Sequence, residues 1–145
     1  MKVVFFTDRF TDRDLGKTFP RILRDAGLSV ECHADHFAPD TPHEEWLAET
    51  ARQGWVSITH DSRIRYKPNE LDAVVRHKAA LLVVIGKAPY PDLARSFVAT
   101  APKILAFVEA QPRPFIAKVY RATASKASME PAPGHVQLWY PDPRS

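Results

Sequence analysis

Two aspartates lie just after short strand-forming segments in closely similar sequence contexts. Asp8 follows the apolar residues 3–6 across one threonine, and Asp61 follows residues 55–58 across a Thr-His pair. Such segments predict buried strands, and the carboxyl ends of parallel strands are where ligands and catalytic groups collect. We therefore predict that Asp8 and Asp61 face each other across one sheet edge. The alternative is that each carboxylate only caps the turn or helix that follows it.

A pair of converging carboxylates predicts a site for a divalent cation. Two acids this close cannot both stay ionised cheaply unless a cation lies between them. Oxygen ligands favour a hard ion, so Mg²⁺ or Mn²⁺ is the expected cofactor. Two further acids could join the pair in catalysis: Glu44, also as a metal ligand, and Glu70, each in the first turn of a predicted helix. Their alternative roles are local, since Glu44 completes a capping box and Glu70 complements a helix dipole.

Basic residues are interleaved with these acids along the sequence. Arg9 follows Asp8 directly, and Arg63 follows Asp61 by two positions. An acidic metal site ringed by cations suits phosphodiester chemistry, because metal and guanidinium groups neutralise the negative charge that develops on the phosphate. The alternative is a solvated charged surface. The residues predicted to bind substrate phosphate are Arg9, Arg13, Arg63, Arg65 and Lys87.

Composition limits the other kinds of site. The 145 residues carry a formal charge of +3, which permits an anionic partner without requiring one. The single cysteine, Cys32, rules out an intrachain disulfide and is expected on the core side of a strand. Histidine and cysteine spacings fit no tetrahedral zinc pattern, and the scattered glycines form no phosphate-binding loop.

Nothing in the sequence predicts a membrane or secretory segment. No stretch approaches the roughly 18 consecutive apolar residues of a membrane span. The N-terminus leads directly into a strand and lacks a signal-peptide pattern. We expect a cytoplasmic protein without membrane association.

Strands and helices alternate through residue 120. The pattern predicts strands at about residues 3–6, 28–32, 55–59, 80–85 and 115–120, and helices at about residues 18–27, 42–54, 69–78 and 91–109. The first of these helices either starts near Thr18, with Pro20 in its first turn, or kinks at Pro20. This alternation is typical of the α/β class, here a three-layer α/β/α domain with a mostly parallel sheet and right-handed crossovers. Residues 135–140 alternate with period two and predict an antiparallel edge strand. One domain is expected, with residues 1–120 as its body and 121–145 as a C-terminal extension.

Two helix details follow from local signals. Thr41 and Glu44 fit a capping box at the start of the second predicted helix, with Pro42 at the first helical position. Pro102 lies inside the last predicted helix, where it removes a backbone donor. We therefore predict two shorter helices there, the second capped by Thr100.

These features together resemble the PIN-like domain family, in particular the compact bacterial proteins grouped with VapC-type toxins. The shared pattern is strand-Thr-Asp-Arg at the N-terminus, an acidic helix start leading into Trp-Leu, a Thr-x-Asp-x-x-Ile segment and a downstream Pro-x-Glu. In this chain the last three lie at residues 43–47, 59–64 and 68–70. The resemblance covers about residues 2–120.

The resemblance implies a ribonuclease, dependent on Mg²⁺ or Mn²⁺, that is often the toxin of a toxin–antitoxin pair. It implies RNA and an antitoxin protein as partners, and Asp8 and Asp61 as metal ligands. The chain departs from the pattern at the start of the second helix, where His43 stands at the position expected for a metal-binding aspartate. Glu44 or Asp40 could substitute for it.

Two other functions remain open. One is a catalytically weak PIN-like module that binds without turnover, which the departure at His43 favours. The other is a phosphoacceptor module resembling response-regulator receivers, built from Asp8, Asp61 and Lys87. Receivers need an acidic pair after the first strand, whereas Asp8 is followed by Arg9. The C-terminal strand could pair within the chain or with a second subunit, so a homodimer is also open.

Overall fold

A computed structural model of the chain describes residues 2–8, 18–61, 63, 66–122 and 132–141. All structural statements below concern those residues. Three of the predicted phosphate-binding residues, Arg9, Arg13 and Arg65, lie outside them.

A six-stranded sheet forms the centre of the fold, with strand order β2-β1-β3-β4-β5-β6. Neighbouring strands run parallel from β2 to β5, and β6 pairs antiparallel with β5 at the edge. This confirms the predicted mostly parallel sheet and its antiparallel edge strand. The strands are β1 Val4–Thr7, β2 Ser29–Cys32, β3 Val56–Thr59, β4 Ala80–Ile85, β5 Phe115–Tyr120 and β6 His135–Tyr140.

Helices cover both faces of the sheet and give the three predicted layers. One face packs against α1 and α4, and the other packs against α2 and α3. None of the helices in the described part of the chain is both long and apolar enough to cross a membrane. The helices are α1 Thr18–Asp25, α2 His43–Gln53, α3 Pro68–Arg76 and α4 Tyr90–Ala110, and a short 3₁₀ turn, His33–Asp35, follows β2.

Strand β1 joins the two hydrophobic cores, because successive side chains of a strand point to opposite faces. Phe5 packs edge-on against Phe97 of α4, with ring centroids 5.4 Å apart. Phe6 packs on the other face against Trp46 of α2, at 5.6 Å. Both phenylalanines are fully buried, and each such side chain contributes about 1.5–3 kcal/mol through burial. The backbone that leads to Asp8 is therefore fixed from both sides.

The start of α2 differs from its prediction. The Thr41 hydroxyl donates to the carbonyl oxygen of Ala38 at 2.8 Å, and no side chain among the described residues caps the helix. The helix begins at His43, after Pro42. The capping box was wrong because Thr41 closes the preceding loop. Gly54 ends the helix in the left-handed conformation at φ 77°.

The last helix, α4, is continuous through Pro102, so the predicted break was wrong. Thr100 caps nothing: its hydroxyl donates to the Ser96 carbonyl at 2.7 Å within the helix and accepts the backbone N–H of Gly134 at 3.0 Å. Residues on both sides of the proline are buried in one core. This shared packing outweighs the lost backbone hydrogen bond, since tertiary burial supplies most helix stability.

Candidate functional site

A pocket of about 190 Å³ opens beyond the carboxyl ends of β1 and β3. These two strands are neighbours in the sheet, with Thr7 opposite Ile58. The geometry therefore carries the residues that follow each strand to the same edge. The pocket is lined by Asp8, His33, Pro39, Asp40, Thr41, His43, Trp46 and Asp61.

Asp8 is the more buried of the two predicted aspartates, with 4% of its surface exposed. Its backbone N–H donates to the carbonyl oxygen of Ile58 at 3.2 Å, one step beyond the end of the β1–β3 ladder. Its position is thus set by the central strands of the sheet, and its side chain lines the pocket. A buried acid at a pocket wall can accept hydrogen bonds or hold a cation.

Asp61 is held by three donors within one turn. Its Oδ1 accepts the backbone N–H of Arg63 at 3.0 Å and the Arg63 Nε at 3.2 Å, and its Oδ2 accepts the Lys67 Nζ at 3.1 Å. Burial acts to raise the pKa of Asp61, but these bonds outweigh it and the pKa lies below its ordinary value. Asp61 therefore lines the pocket as a carboxylate and also caps its own turn.

Glu70 lies behind His43 and Lys67. Its Oε1 contacts His43 Nδ1, and its Oε2 lies 3.8 Å from Lys67 Nζ. Lys67 thus bridges Asp61 and Glu70. Neither His43 Nδ1 nor Glu70 Oε2 makes a hydrogen bond of good geometry with another described residue. Glu70 is not among the residues that line the pocket, but it contacts His43, which does line it.

Glu44 is not among the residues that line the pocket. Its side chain is 55% exposed and forms an ion pair with Arg76 of α3. Asp40, in the loop before α2, lines the pocket instead and gives it a third acid. No three acids, histidines or cysteines of the described chain are already arranged to hold a metal ion.

The basic residues differ in their relation to the pocket. Arg63 contacts Asp61 and is otherwise solvent-exposed, at 77%. Lys67 belongs to the same turn, and its Nζ lies 3.1 Å from an Asp61 oxygen and 3.8 Å from a Glu70 oxygen. Lys87 is exposed in the turn after β4 and does not line the pocket. Nothing in its position favours the phosphoacceptor alternative.

Sequence reasoning did not select His33 or Trp46 for the site. His33 comes directly after β2, the neighbour of β1, so the strand-end argument that found Asp8 also applies to it. Its ring lies near Phe6 and Phe37, with centroids 6.2 and 5.3 Å away. No sequence pattern marked Trp46 as a site residue, because its helical spacing indicates a core position. It packs in the core and also lines the pocket.

Comparison with known proteins places the chain in a family. A family model described as a PIN like domain matches residues 3–86, which include every residue that lines the pocket. The chain is 34% identical over 80 residues to a Mycobacterium tuberculosis protein named "Putative ribonuclease VapC45". That match covers 52% of this chain and 58% of the relative, so the chain spans less than two thirds of the relative's length.

No solved structure gives a significant match to the chain. The family model alone spans more than half of the sequence. It covers β1 to β4 and so includes β1 and β3, the strands that the two aspartates follow. The resemblance found in the sequence is confirmed, and the chain belongs to the PIN-like domain family.

Proposed function

We propose that the protein is a ribonuclease that hydrolyses RNA phosphodiester bonds at the pocket beyond the carboxyl ends of β1 and β3, with Mg²⁺ or Mn²⁺ as cofactor. The observation that carries this proposal is that Asp8 and Asp61, from neighbouring parallel strands, line one pocket. Membership of the PIN-like family and the name of the M. tuberculosis relative support it.

The donor set fits a hard divalent cation in its chemistry. Asp8, Asp61 and Asp40 offer carboxylate oxygens, which Mg²⁺ and Mn²⁺ prefer. We assign the third oxygen donor to Asp40 in place of Glu44, because Glu44 pairs with Arg76 outside the pocket. A cation held by Asp61 would compete with the Lys67 ammonium group, which donates to the Asp61 Oδ2. When bound, the cation neutralises charge on the phosphate and lowers the pKa of a coordinated water.

The protein's own groups divide the remaining work. Asp61 is ionised at neutral pH because its pKa is lowered, so it is ready to accept a cation. Arg63 and Lys67 provide positive charge at the same turn, where they can hold the scissile phosphate. Glu70 orients His43 through their contact, and an imidazole backed by a carboxylate is suited to accept or deliver a proton.

We further propose that the protein acts as the toxin of a toxin–antitoxin pair in the cytoplasm. The VapC-type name of the relative supports this role. An antitoxin protein is then the expected partner, encoded beside this gene. Expression alone should arrest growth, and co-expression of the neighbouring small protein should relieve the arrest. Growth that continues when active enzyme is present would contradict the toxin role.

The nuclease proposal is tested by cleavage of a structured RNA with Mn²⁺. The wild type should cleave, and Asp8→Ala and Asp61→Asn should each lower the rate at least about 100-fold. Glu44→Gln is the matched control, because it removes an acid of α2 outside the pocket. Activity untouched by both aspartate substitutions would overturn the two-acid mechanism.

A second candidate is a PIN-like module that binds RNA with little or no turnover. The contact of Lys67 with Asp61 and the presence of His43 at the pocket favour it. Such a module would bind RNA without cleaving it, and Mn²⁺ would not raise its melting temperature. A metal-dependent rise in melting temperature that Asp8→Ala abolishes would exclude it.

A further inference from the structure

An exposed aromatic side chain stands beside the proposed active site. Tyr66 is 70% exposed, more than any other large hydrophobic side chain of the described chain. It immediately precedes Lys67, whose Nζ contacts Asp61, and its backbone N–H donates to the Arg63 carbonyl at 2.9 Å. Tyr66 therefore belongs to the same short turn as the two cations at the pocket.

The Tyr66 ring rests on a second aromatic ring. It packs edge-to-face with Trp139 of β6, with centroids 5.6 Å apart and an angle of 77° between the planes. Trp139 is itself partly buried against the core that contains Phe6 and Trp46. Lys118 of β5 places its Nζ 4.2 Å from the centre of the Trp139 ring. Tyr66 is thus supported by the sheet, which limits the entropy lost when a ligand stacks on it.

We propose that Tyr66, supported by Trp139 and Lys118, is a stacking platform for an unpaired nucleobase of the RNA substrate. This inference rests on the proposed ribonuclease function for its class of ligand. The platform would take the base next to the phosphate that Arg63 and Lys67 hold. It thereby defines a substrate subsite outside the acidic pocket.

The chemistry of this surface matches single-stranded RNA. Arg63, Lys67 and Lys118 supply positive charge for the backbone, and Tyr66 supplies a π surface for a base. Every base has a face that can stack, so such contacts tolerate different sequences. Bases inside a duplex are already stacked and paired, which leaves them unable to use the platform. The subsite therefore favours loops and single strands.

The test measures RNA binding by the full-length protein. Fluorescence anisotropy with a labelled single strand of about 12 nucleotides is measured in an Asp8→Asn background, where cleavage does not interfere. Tyr66→Ala should weaken binding by about 5- to 150-fold, the range for loss of one base stack. Tyr66→Phe should bind as the parent does, because it keeps the ring.

Two controls separate stacking from other causes. Val75→Ala removes a second large hydrophobic side chain that is exposed among the described residues, and it should leave the affinity unchanged. The same RNA annealed to its complement should bind Tyr66→Ala and the parent equally. RNA bound at the platform should also quench the fluorescence of Trp139. Trp139→Phe should abolish the quenching that this tryptophan contributes.

The outcomes distinguish this inference from the proposed function. Equal single-strand affinity of Tyr66→Ala and the parent would overturn the platform, and cleavage by the wild type would then still support the nuclease. Tyr66-dependent binding without cleavage by the wild type would support the platform and overturn the nuclease. If Tyr66→Ala instead changes the oligomeric state without changing RNA affinity, the surface is a protein interface and the platform is wrong.

Discussion

Lys67 and Asp61 form an ion pair at the mouth of the candidate site, with the Lys67 Nζ 3.1 Å from the Asp61 Oδ2. The lysine also lies 3.8 Å from a Glu70 oxygen, so one ammonium group serves two acids. A divalent cation at Asp61 would compete with that ammonium group for the same oxygen. The affinity of the site for metal should therefore depend on Lys67.

Replacing Lys67 should make metal binding tighter. Lys67→Met removes the competing charge, and we expect Mn²⁺ to bind about fivefold more tightly, as suits loss of a partly exposed ion pair worth up to about 1 kcal/mol. Isothermal titration calorimetry in the absence of RNA measures this directly. Lys87→Met is the control, because Lys87 is exposed and does not line the pocket. Weaker Mn²⁺ binding by Lys67→Met would contradict the competition.

Because of Asp61, the free energy of unfolding should depend on pH in the acid range. Its pKa in the folded protein lies below its ordinary value of 3.8, so the folded state binds this proton less readily than the unfolded state does. The stabilisation from the Asp61 carboxylate is then complete above about pH 5 and is lost as the pH falls through the lowered pKa. Urea unfolding of wild type and Asp61→Asn should differ most near neutral pH and converge in acid. A difference that grows in acid would contradict this assignment.

Substitutions of Asp40 and Glu44, the two candidates for the third acid of the site, should differ in their effect on activity. Asp40→Asn should lower Mn²⁺-dependent cleavage at least about tenfold, since Asp40 lines the pocket. Glu44→Gln should change activity by no more than about twofold and stability by at most about 1 kcal/mol, because it only breaks an exposed ion pair with Arg76. Initial rates at saturating RNA provide the comparison. Loss of activity only in Glu44→Gln would show that Glu44, and not Asp40, is the third acid.

Gly134 should tolerate no side chain. A Cβ atom there would lie 1.7 Å from the carbonyl oxygen of Tyr120, which is backbone and cannot move away easily. Gly134→Ala should therefore lower the free energy of unfolding by about 1–3 kcal/mol, measured by urea denaturation. The exposed neighbour Ala132 is the control, and Ala132→Gly should stay within about 0.5 kcal/mol of the wild type. Equal stability of Gly134→Ala and the wild type would show that β6 shifts freely.

The sequence predicts those parts of the structure that depend on local pattern. Apolar runs such as residues 80–85 identify the strands, and strand ends alone place Asp8 and Asp61 at one pocket. The side-chain direction at the start of α2 escaped prediction, since adjacent residues of a helix point about 100° apart. His43 consequently faces the pocket while Glu44 reaches Arg76. The loop before α2 determines which residues of the helix face the pocket, and loops carry no periodic signal.

Long-range packing explains the other differences. Pro102 is a helix breaker by local rules, yet α4 continues because its two halves share one buried face. The partner of Thr100, Gly134, lies far along the chain and could not be identified from spacing. No sequence pattern identified Tyr66 either, because its ring contacts Trp139 only after the sheet has formed.

The edge position of β6 keeps it apart from the two carboxylates. Asp8 and Asp61 follow β1 and β3, whereas Trp139 comes from β6, which pairs with β5 at the opposite edge of the sheet from β2. A substitution on the exposed side of β6 therefore leaves the pairing of β1 with β3 in place. The aromatic flank and the acidic pocket can thus be altered one at a time.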